Sequence, residues 1–311
     1  MAQRQQATTP LPGYGDYQHF LVTSPSPLVA HVEINRPGKL NAFHEAMWRE
    51  LRAVFARLST DPDVRAVVLS GAGDRAFTAG LDVAAASEGG VLASAEGQGL
   101  DPARKAARLR RYIADFQDCI TALEKCEKTE LTPPERGGGN NNLGEKKAVI
   151  CVMHGISIGL AIDISTAADI RICAKDTRFA VKEVDIGLAA DIGTLARLPK
   201  VVGSQSWVKD VCMTARDFDA QEALAVGFVS QVHESKAAAL AAAFKTAALL
   251  ATKSPVAVQG TKELLTHSRD HPVEDNLRYT GVWNAAALQT NDVPAALMSG
   301  LQRKKPTFEK L

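Results

Sequence analysis

The sequence predicts an α/β fold followed by a helical C-terminal third. Strand-like and helix-like runs alternate through about residue 180, one strand-like run is apolar throughout, and the pattern turns helical after about residue 220. Alternating strands and helices indicate layers joined by crossover connections. A strand that is apolar throughout indicates burial on both faces of a sheet.

The first elements follow from their periodicity and from the residues that end them. Residues 1–18 are rich in Gln, Thr and Pro, which predicts a flexible N-terminal arm. The next predicted elements are a strand at Val29 to Asn35, a helix with one apolar face at 43–58, a strand at Val64 to Leu69 and a long helix from about Pro102 to Lys125. Pro37 and Pro62 lie in the breaks on either side of the first helix.

The second half of the chain begins with a segment that breaks all periodicity. Residues 127–146 contain Pro-Pro, Gly-Gly-Gly and Asn-Asn-Asn, which predicts a disordered insert. After it we predict a buried strand at Ala148 to Met153, a helix at Gly159 to Ala168, a strand at Ile170 to Ala174, and helices at Gln221 to Ala225, Ala237 to Thr252 and 274–288. The predicted domains are therefore the arm 1–18, an α/β core 19–220 with its insert, and a helical region 221–311.

Composition excludes several classes of protein. The 311 residues are 46% hydrophobic and 23% charged, which is typical of a globular chain with a sizeable core. Lys+Arg and Asp+Glu number 36 and 35, so no basic field favours nucleic acid or an acidic membrane. No apolar run reaches the roughly 18 residues of a membrane span. The 5 cysteines form no CxxC pair and have no metal-ligand spacing with histidine, which predicts buried, reduced thiols and no metal site.

Common motifs of other enzyme classes are missing from the sequence. It contains no GxxxxGK[ST] phosphate-binding loop. Gly71-Ala72-Gly73 is not followed by a third glycine at the spacing of a dinucleotide-binding loop.

Two glycine-containing loops could bind an acyl oxygen. The first is FTAGLD at residues 77–82, and the second is HGISIGL at residues 154–160, between the buried strand and a helix. Free backbone N–H groups gather at a helix start, where the helix dipole also favours negative charge. Two converging N–H groups would form an oxyanion hole. Ordinary glycine turns are the alternative interpretation.

Three carboxylates stand within apolar stretches: Asp163, Glu183 and Asp191. A buried, unpaired carboxylate is costly, so such a residue tends to be protonated, paired or functional. Two carboxyls in one apolar pocket can hold opposite protonation states and pass a proton between carbons. The structural alternatives are that Asp191 caps a helix at 192–198 and that Asp163 is bonded to a neighbouring backbone.

Two other polar features are interpreted as structural. His154 is interpreted as a core histidine whose hydrogen bonds are satisfied. Asp169 and Arg171, in the sequence ADIR, are interpreted as an ion pair.

The residues resemble a known family. The segments INRPGKLNAF (34–43), VRAVVLSGAGDRAFTAGLDV (64–83) and 148–176 resemble the crotonase, or enoyl-CoA hydratase/isomerase, family. Within that family, VKEVDIGLAADIGTLARLPKVVG (181–203) resembles the dienoyl-CoA isomerases, as do residues 214–232 and 253–271. The resemblance covers about residues 18–126 and 147–311.

The resemblance implies a fold and partners. The family fold is a crotonase-like spiral of ββα units, closed by a C-terminal helical region that builds trimers, often paired into hexamers. It implies an acyl-CoA substrate, a homotrimer or hexamer, and no metal or redox cofactor.

The resemblance also implies a site. The thioester oxygen would be held by the N–H groups of Leu81 and Leu160, and the catalytic acids would be Asp163, Glu183 and Asp191. The substrate-binding residues implied with them are Ala79, Gly80, Asp82 and Gly159. The implied reaction converts a 3,5-dienoyl-CoA into a 2,4-dienoyl-CoA, with Glu183 near C2, Asp191 near C6 and Asp163 tuning the pocket.

Two features depart from the family pattern. The second loop carries Ile156, Leu160 and Ala161, where relatives are commonly richer in glycine. The 127–146 insert has no counterpart in the family pattern. The alternatives to the isomerase are an enoyl-CoA hydratase and a non-catalytic member that acts as a binding subunit.

The compartment is expected from the pathway that the resemblance implies, fatty-acid β-oxidation. Lys310-Leu311 keeps two of the three residues of the peroxisomal signal Ser-Lys-Leu, while Glu309 departs from it. The prediction is therefore the peroxisome, with the mitochondrion as the alternative.

Overall fold

A computed structural model describes residues 9–85, 100–126 and 146–310. The strands are β1 Thr9–Pro10, β2 Phe20–Ser26, β3 Val29–Ile34, β4 Ala66–Gly71, β5 Ala76–Thr78, β6 Ala148–Met153, β7 Ile156–Ile158, β8 Ile170–Ala174, β9 Arg178–Ala180, β10 Phe218–Asp219 and β11 Gln231–His233. The longer helices are α1 Glu45–Ser59, α2 Pro102–Lys125, α3 Leu160–Ala167, α4 Thr194–Val201, α5 Gln205–Thr214, α6 Ala220–Ala225, α7 Lys236–Ala251, α8 Pro255–Ser268, α9 Val273–Ala287 and α10 Asp292–Leu301. Short 3-10 helices occur at Pro37–Lys39 and Glu183–Ile186.

The described strands form two sheets that the chain visits in turn. The larger has the order β1-β2-β3-β4-β6-β8-β11, and the smaller has the order β10-β9-β7-β5. Strands β3, β4, β6, β8 and β11 run parallel, whereas β1, β2 and β3 pair antiparallel. Each of β4, β6 and β8 is followed by a short strand of the smaller sheet, and these short strands also run parallel. The result is a spiral of strand-strand-helix turns, and the α/β prediction is confirmed.

Strand β6 shows why an entirely apolar sequence was informative. Its residues Val149, Cys151 and Met153 join the main core, and Ile150 and Val152 join a second core on the opposite face. The second core is covered by α7, whose buried residues are all small: Ala239, Ala243, Ala247 and Ala251. The four-residue spacing of these alanines lets the helix backbone lie close to the sheet.

Part of the predicted arm packs on the core. Within it, Leu11 N–H donates to the Val22 carbonyl at 3.1 Å. Tyr14 is 3% exposed, and its hydroxyl donates to Asp61 Oδ2 at 2.9 Å while the Arg57 guanidinium lies over its ring. The flexible-arm prediction is therefore wrong for residues 10–17, because an aromatic side chain anchors them. Residues 1–8 lie outside the described residues.

The boundary of the predicted helical region also differs from the structure. Strand β11 adds to the edge of the larger sheet beside β8, and α7 packs on that sheet. The sequence analysis missed β11 because three residues are too short to show a period. The insert prediction falls on residues outside the described part of the chain, except for Lys146, which pairs with Glu263.

The predicted Asp169–Arg171 ion pair is wrong. Asp169 Oδ2 accepts from Lys262 Nζ at 2.8 Å and from Val149 N–H at 2.8 Å. Arg171 donates instead to the carbonyls of Phe228 at 2.7 Å and Ala168 at 2.8 Å. Alternate residues of a strand share a face, but each side chain here finds a nearer partner on another element.

The prediction for the cysteines holds. The five cysteines are buried and free, and burial raises the pKa of Cys119 to about 12. His154 is buried, and its Nε2 lies 2.8 Å from the Gly73 carbonyl oxygen, which confirms its interpretation as a core histidine. Its Nδ1 is buried with no hydrogen-bond partner within the described residues, so the expectation that all its hydrogen bonds are satisfied is wrong. Over residues 9–85, 100–126 and 146–310, no helix is both long and apolar enough to cross a membrane, and no cluster of three or more His, Cys, Asp or Glu could hold a metal ion.

Candidate active site

The two glycine-containing loops lie against each other at the ends of β5 and β7. A Cβ placed on Gly80 would lie 3.5 Å from the Leu160 nitrogen and 3.1 Å from the Ile158 carbonyl oxygen. Gly80 has φ +88° and Gly159 has φ +56°, a region that favours glycine. The glycines at these two positions therefore permit the close approach of the loops.

The first loop directs the Leu81 N–H away from its neighbouring segment. Phe43 N–H donates to the Gly80 carbonyl at 2.8 Å, and Asp82 N–H donates to the Phe43 carbonyl at 2.8 Å. In this parallel bridge between Phe43 and Leu81, the polar backbone groups of Leu81 face the opposite side. Its N–H makes no backbone bond within the described residues.

The second loop supplies a helix start. Gly159 N–H donates to the Ala180 carbonyl at 2.9 Å, and Leu160 is the first residue of α3. The N–H groups of a first helical turn have no acceptor within the helix. The dipole of α3 therefore adds to the attraction of the Leu160 N–H for negative charge. All eight residues of α3 are buried.

Glu183 lies beside this helix start. It begins the 3-10 turn after β9, and its Oε1 lies 3.6 Å from where a Cβ of Gly159 would stand. Its Oε2 is buried and has no hydrogen-bond partner within the described residues. Burial and then the charge of Asp191 raise the pKa of Glu183. A buried carboxylate oxygen without a partner is costly, and it is available to take a proton.

Asp163 lies in the first turn of α3 and is 2% exposed. Its Oδ1 accepts from Thr194 N–H at 2.6 Å and from Thr194 Oγ1 at 2.9 Å. Burial and the charge of Glu183 raise the pKa of Asp163 to about 7, against the lowering effect of the Thr194 bonds. The alternative interpretation, a carboxylate bonded to a neighbouring backbone, is confirmed for this oxygen.

Asp191 lies on the loop before α4 and is exposed. Its carbonyl accepts from Gln117 Nε2 at 2.5 Å, and partial burial raises the pKa of its side chain. The helix-cap alternative is wrong, because α4 begins at Thr194 and the residue before it is Gly193. The carboxyl of Asp191 is therefore not used as a helix cap.

The remaining predicted substrate-binding residues shape the first loop. Ala79 N–H donates to the Leu40 carbonyl at 2.9 Å. Asp82 Oδ2 accepts from Arg36 Nη1 at 2.7 Å, and that hydrogen bond lowers the pKa of Asp82. Arg36 also donates to the Ala42 carbonyl at 2.8 Å. The Asp82 carboxylate thus ties the loop that carries Leu81 to the chain before α1.

Comparison with known proteins places this geometry in a family. Models of the enoyl-CoA hydratase/isomerase family match residues 29–124 and 141–310. The chain belongs to the enoyl-CoA hydratase/isomerase family.

Several relatives in this family share most of the chain. A mitochondrial Delta(3,5)-Delta(2,4)-dienoyl-CoA isomerase of Mus musculus is 44% identical over 300 residues, which cover 95% of this chain and 84% of the mouse protein. The Homo sapiens protein of the same name is 43% identical, with the same two coverages. A peroxisomal protein of that name from Arabidopsis thaliana is 37% identical over 91% of this chain and 93% of its own length.

Solved structures confirm the family fold. An enoyl-CoA hydratase from Bacillus anthracis superposes with a TM-score of 0.77 at 22% identity, over 94% of this chain and 99% of its own. Pseudomonas aeruginosa DspI superposes with a TM-score of 0.78 at 25% identity, over 95% and 98% of the two chains. The crotonase resemblance is thereby confirmed.

Sequence reasoning missed residues that hold the candidate site in place. Asn41 is fully buried, and its Nδ2 donates to the carbonyls of Ala72 at 2.9 Å and Ala76 at 3.0 Å. Its Oδ1 accepts from Arg36 N–H at 2.9 Å. Thr194, the partner of Asp163, was also missed. A polar residue directly after Gly193, at a helix start, was the available signal.

Stability should depend on pH through Asp163. The pKa of Asp163 is about 7 in the folded protein, against 3.8 for an unperturbed aspartate such as that of the unfolded chain. Between these two pH values the folded state holds a proton that the unfolded state releases. Rising pH therefore disfavours folding across this window, by roughly 2–4 kcal/mol in total. We expect Asp163→Asn to remove this dependence. The free energy of unfolding of the variant should therefore rise relative to that of the wild type as the pH increases from about 4 to 7.

Urea unfolding at one protein concentration, followed by circular dichroism, measures this difference. Asp185→Asn is the matched control, because Asp185 is half-exposed and pairs with Lys182 at 3.4 Å. Parallel pH profiles for Asp163→Asn and the wild type would show that Asp163 titrates alike in both states.

Proposed function

We propose that this chain isomerises 3,5-dienoyl-CoA to 2,4-dienoyl-CoA. The observation that carries the proposal is the buried Glu183 Oε2, which has no hydrogen-bond partner within the described residues and belongs to a carboxyl beside the N–H groups at the start of α3. Glu183 and Asp191 are near enough for the charge of Asp191 to raise the pKa of Glu183, and Glu183 lies beside the start of α3. Relatives at 37–44% identity bear the name of this activity.

The proposed chemistry begins at Glu183. Its free carboxylate oxygen removes a proton from C2, and the electron pair left behind spreads through the diene onto the thioester oxygen. The N–H groups of Leu81 and Leu160 stabilise that charge; losing one such donor typically costs about 3 kcal/mol. Burial strengthens Glu183 as a base by raising its pKa.

The second proton transfer occurs at the other end of the diene. Protonated Asp191 donates to C6, and the double bonds settle at C2 and C4. The raised pKa of Asp191 increases the fraction that is protonated near neutral pH. The steps move protons alone, so the proposal includes no metal or redox cofactor.

Apolar side chains near the acids suit an acyl substrate. Val83 follows the first loop and is 63% exposed, while Ile186 and Leu188 follow Glu183 and are 58% and 40% exposed. Leu195, next to Thr194, is 44% exposed. Exposed apolar residues around a polar centre are typical of binding sites for apolar groups. We propose that they contact the acyl chain.

The enoyl-CoA hydratase is the second candidate, because solved proteins of that name share the fold. The test is to incubate the purified chain with 3,5-dienoyl-CoA and separately with 2-enoyl-CoA. The isomerase is expected to form 2,4-dienoyl-CoA, seen as the absorbance of the conjugated diene-thioester, and little 3-hydroxyacyl-CoA. The reverse product pattern would favour the hydratase, and absence of turnover on both would favour a binding subunit.

We propose that the chain assembles as a homotrimer or hexamer. Helix α9 buries none of its residues. The large apolar residues exposed on α9 and α10 and just after α9 are Val273, Leu277, Val282, Leu288, Val293, Leu297, Met298 and Leu301. Such surfaces are usually covered by a partner. Sedimentation that shows a stable monomer at micromolar concentration would contradict the assembly.

The peroxisome is the proposed compartment. The mouse and human relatives are named mitochondrial, and the Arabidopsis relative is named peroxisomal, so both compartments occur among them. Lys310 and Leu311 match the last two residues of Ser-Lys-Leu. Imaging the N-terminally tagged protein in its native cell tests this, and a purely mitochondrial signal would overturn it.

A further inference from the structure

We propose that Thr194 is a positioning residue for the isomerisation, because it joins the helix that starts at the oxyanion hole to the loop that carries Asp191. This inference rests on the proposed function. Helix α3 begins at Leu160 and holds Asp163 in its first turn, and α4 begins at Thr194, shortly after Asp191. The Asp163–Thr194 contact is thus a direct link between the two ends of the proposed site.

The link is short and shielded from water. Thr194 N–H and Oγ1 donate to the same oxygen of Asp163, at 2.6 Å and 2.9 Å. Thr194 is 0% exposed and Asp163 is 2% exposed. Hydrogen bonds between buried groups are electrostatically stronger than those in water, and a carboxylate acceptor strengthens them further.

The start of α4 needs this carboxylate. Gly193 precedes the helix and has no side chain that could cap it, so the Thr194 N–H would otherwise have no acceptor. Asp163 takes the place of the missing cap from another helix, and the dipole of α4 favours its charge. One oxygen of Asp163 therefore fastens the helix, whereas Glu183 Oε2 has no partner within the described residues.

The loop is also held from its other side. Gln117 Nε2 on α2 donates to the Asp191 carbonyl at 2.5 Å. One turn into α4, Arg197 Nε donates to Glu124 Oε2 at 3.0 Å, and Arg197 Nη2 donates to Thr121 Oγ1 at 2.8 Å, both on α2. The Gln117 bond holds the backbone of Asp191 itself, and the Thr194 bond holds the chain three residues further on, so losing either bond should let the Asp191 carboxyl move away from the substrate.

The test compares Thr194→Val with Thr194→Ser. Valine keeps the shape and the backbone N–H but removes the Oγ1 donor, and serine keeps the hydroxyl. The measurements are kcat and KM with 3,5-dienoyl-CoA, and deuterium exchange at C2 in D₂O. Exchange at C2 needs Glu183 and the oxyanion hole, whereas net isomerisation also needs Asp191.

We expect Thr194→Val to lower kcat about tenfold, the usual order for one hydrogen bond to a charged group. KM and the rate of C2 exchange should stay within about threefold of the wild type, so the loss falls on the second proton transfer. Thr194→Ser should restore kcat to within about threefold. Equal losses of exchange and isomerisation, an unchanged kcat, or failure of serine to rescue would each overturn the proposal.

A second measurement separates this proposal from the proposed function. If the wild type does not turn over the diene, the proposed function fails, and the carboxyl titration of Asp163 by ¹³C NMR still decides the link. Thr194→Val should raise the titration midpoint of Asp163, because a bond that favours its charged form is lost. An unchanged midpoint would show that Thr194 does not hold this carboxylate.

Discussion

Replacing Asp191 with asparagine is expected to lower isomerase turnover by about 10²–10⁴-fold, the usual range for loss of a general acid or base. The proton must reach C6, four bonds from the carbon that lost the first one, and one carboxyl cannot easily serve both ends of a rigid diene. Asparagine keeps the size and most hydrogen bonding of aspartate but has no titratable proton to donate. The measurement is the rise in conjugated-diene absorbance, with circular dichroism as the folding control.

The Asp191→Asn substitution should change the chemistry of the side chain without disturbing the surrounding hydrogen bonds. Asp191 is exposed and does not cap α4, and the bond from Gln117 goes to its backbone carbonyl, so the substitution leaves that bond intact. Asp185→Asn is the matched control, since it removes a nearby aspartate that pairs only weakly with Lys182 at the surface. If well-folded Asp191→Asn keeps near-normal turnover, the hydratase becomes the better interpretation.

Replacing Glu183 with glutamine should be at least as damaging as Asp191→Asn, because it blocks the first proton transfer. Burial and the charge of Asp191 raise the pKa of Glu183, and this basicity is lost in glutamine. We expect turnover to fall by at least about 10²–10⁴-fold, and C2 exchange to fall with it. Asp191→Asn, in contrast, should retain C2 exchange.

The double variant provides a further check. Glu183 and Asp191 serve one sequence of transfers, so their losses should not add. Glu234→Gln is a suitable control for the chemical change, because Glu234 is exposed and pairs with Lys175 at 3.2 Å. A Glu183→Gln enzyme that exchanges C2 at the rate of the wild type would remove Glu183 as the base.

Periodicity predicted those elements whose sequence alone determines their environment. Strand β6 is apolar because both of its faces are covered, and the helix α1 shows its buried face as a regular stripe. The arm and β11 were missed because their order depends on distant partners: Tyr14 needs Asp61 and Arg57, and β11 needs β8. Tertiary contacts of this kind leave no local period.

The same distinction applies to the site. Acidic residues within apolar stretches of sequence singled out Asp163, Glu183 and Asp191, because a charge in such a stretch is expected to be buried. This holds for Asp163 and in part for Glu183, whereas Asp191 is exposed. Only the three-dimensional structure shows which carboxyl is hydrogen-bonded. Asp163 accepts a hydrogen bond from Thr194, 31 positions away, whereas the Asp191 carboxyl does not cap α4. The backbone N–H groups of Leu81 and Leu160 were predicted from the family resemblance alone, because the identity of a side chain does not show which backbone donors are free.

The burial of every residue in α3 has a consequence for how this scaffold can acquire new reactions. The proposed anion-binding end of the site lies at the start of a helix that tolerates little change, since each of its side chains contributes to packing. The proposed acids Glu183 and Asp191 instead flank residues 184–189, which are all exposed, so substitutions between the two acids disturb few neighbours. Chemical diversification of such a chain is therefore expected to concentrate between residues 183 and 191, while the start of α3 stays unchanged.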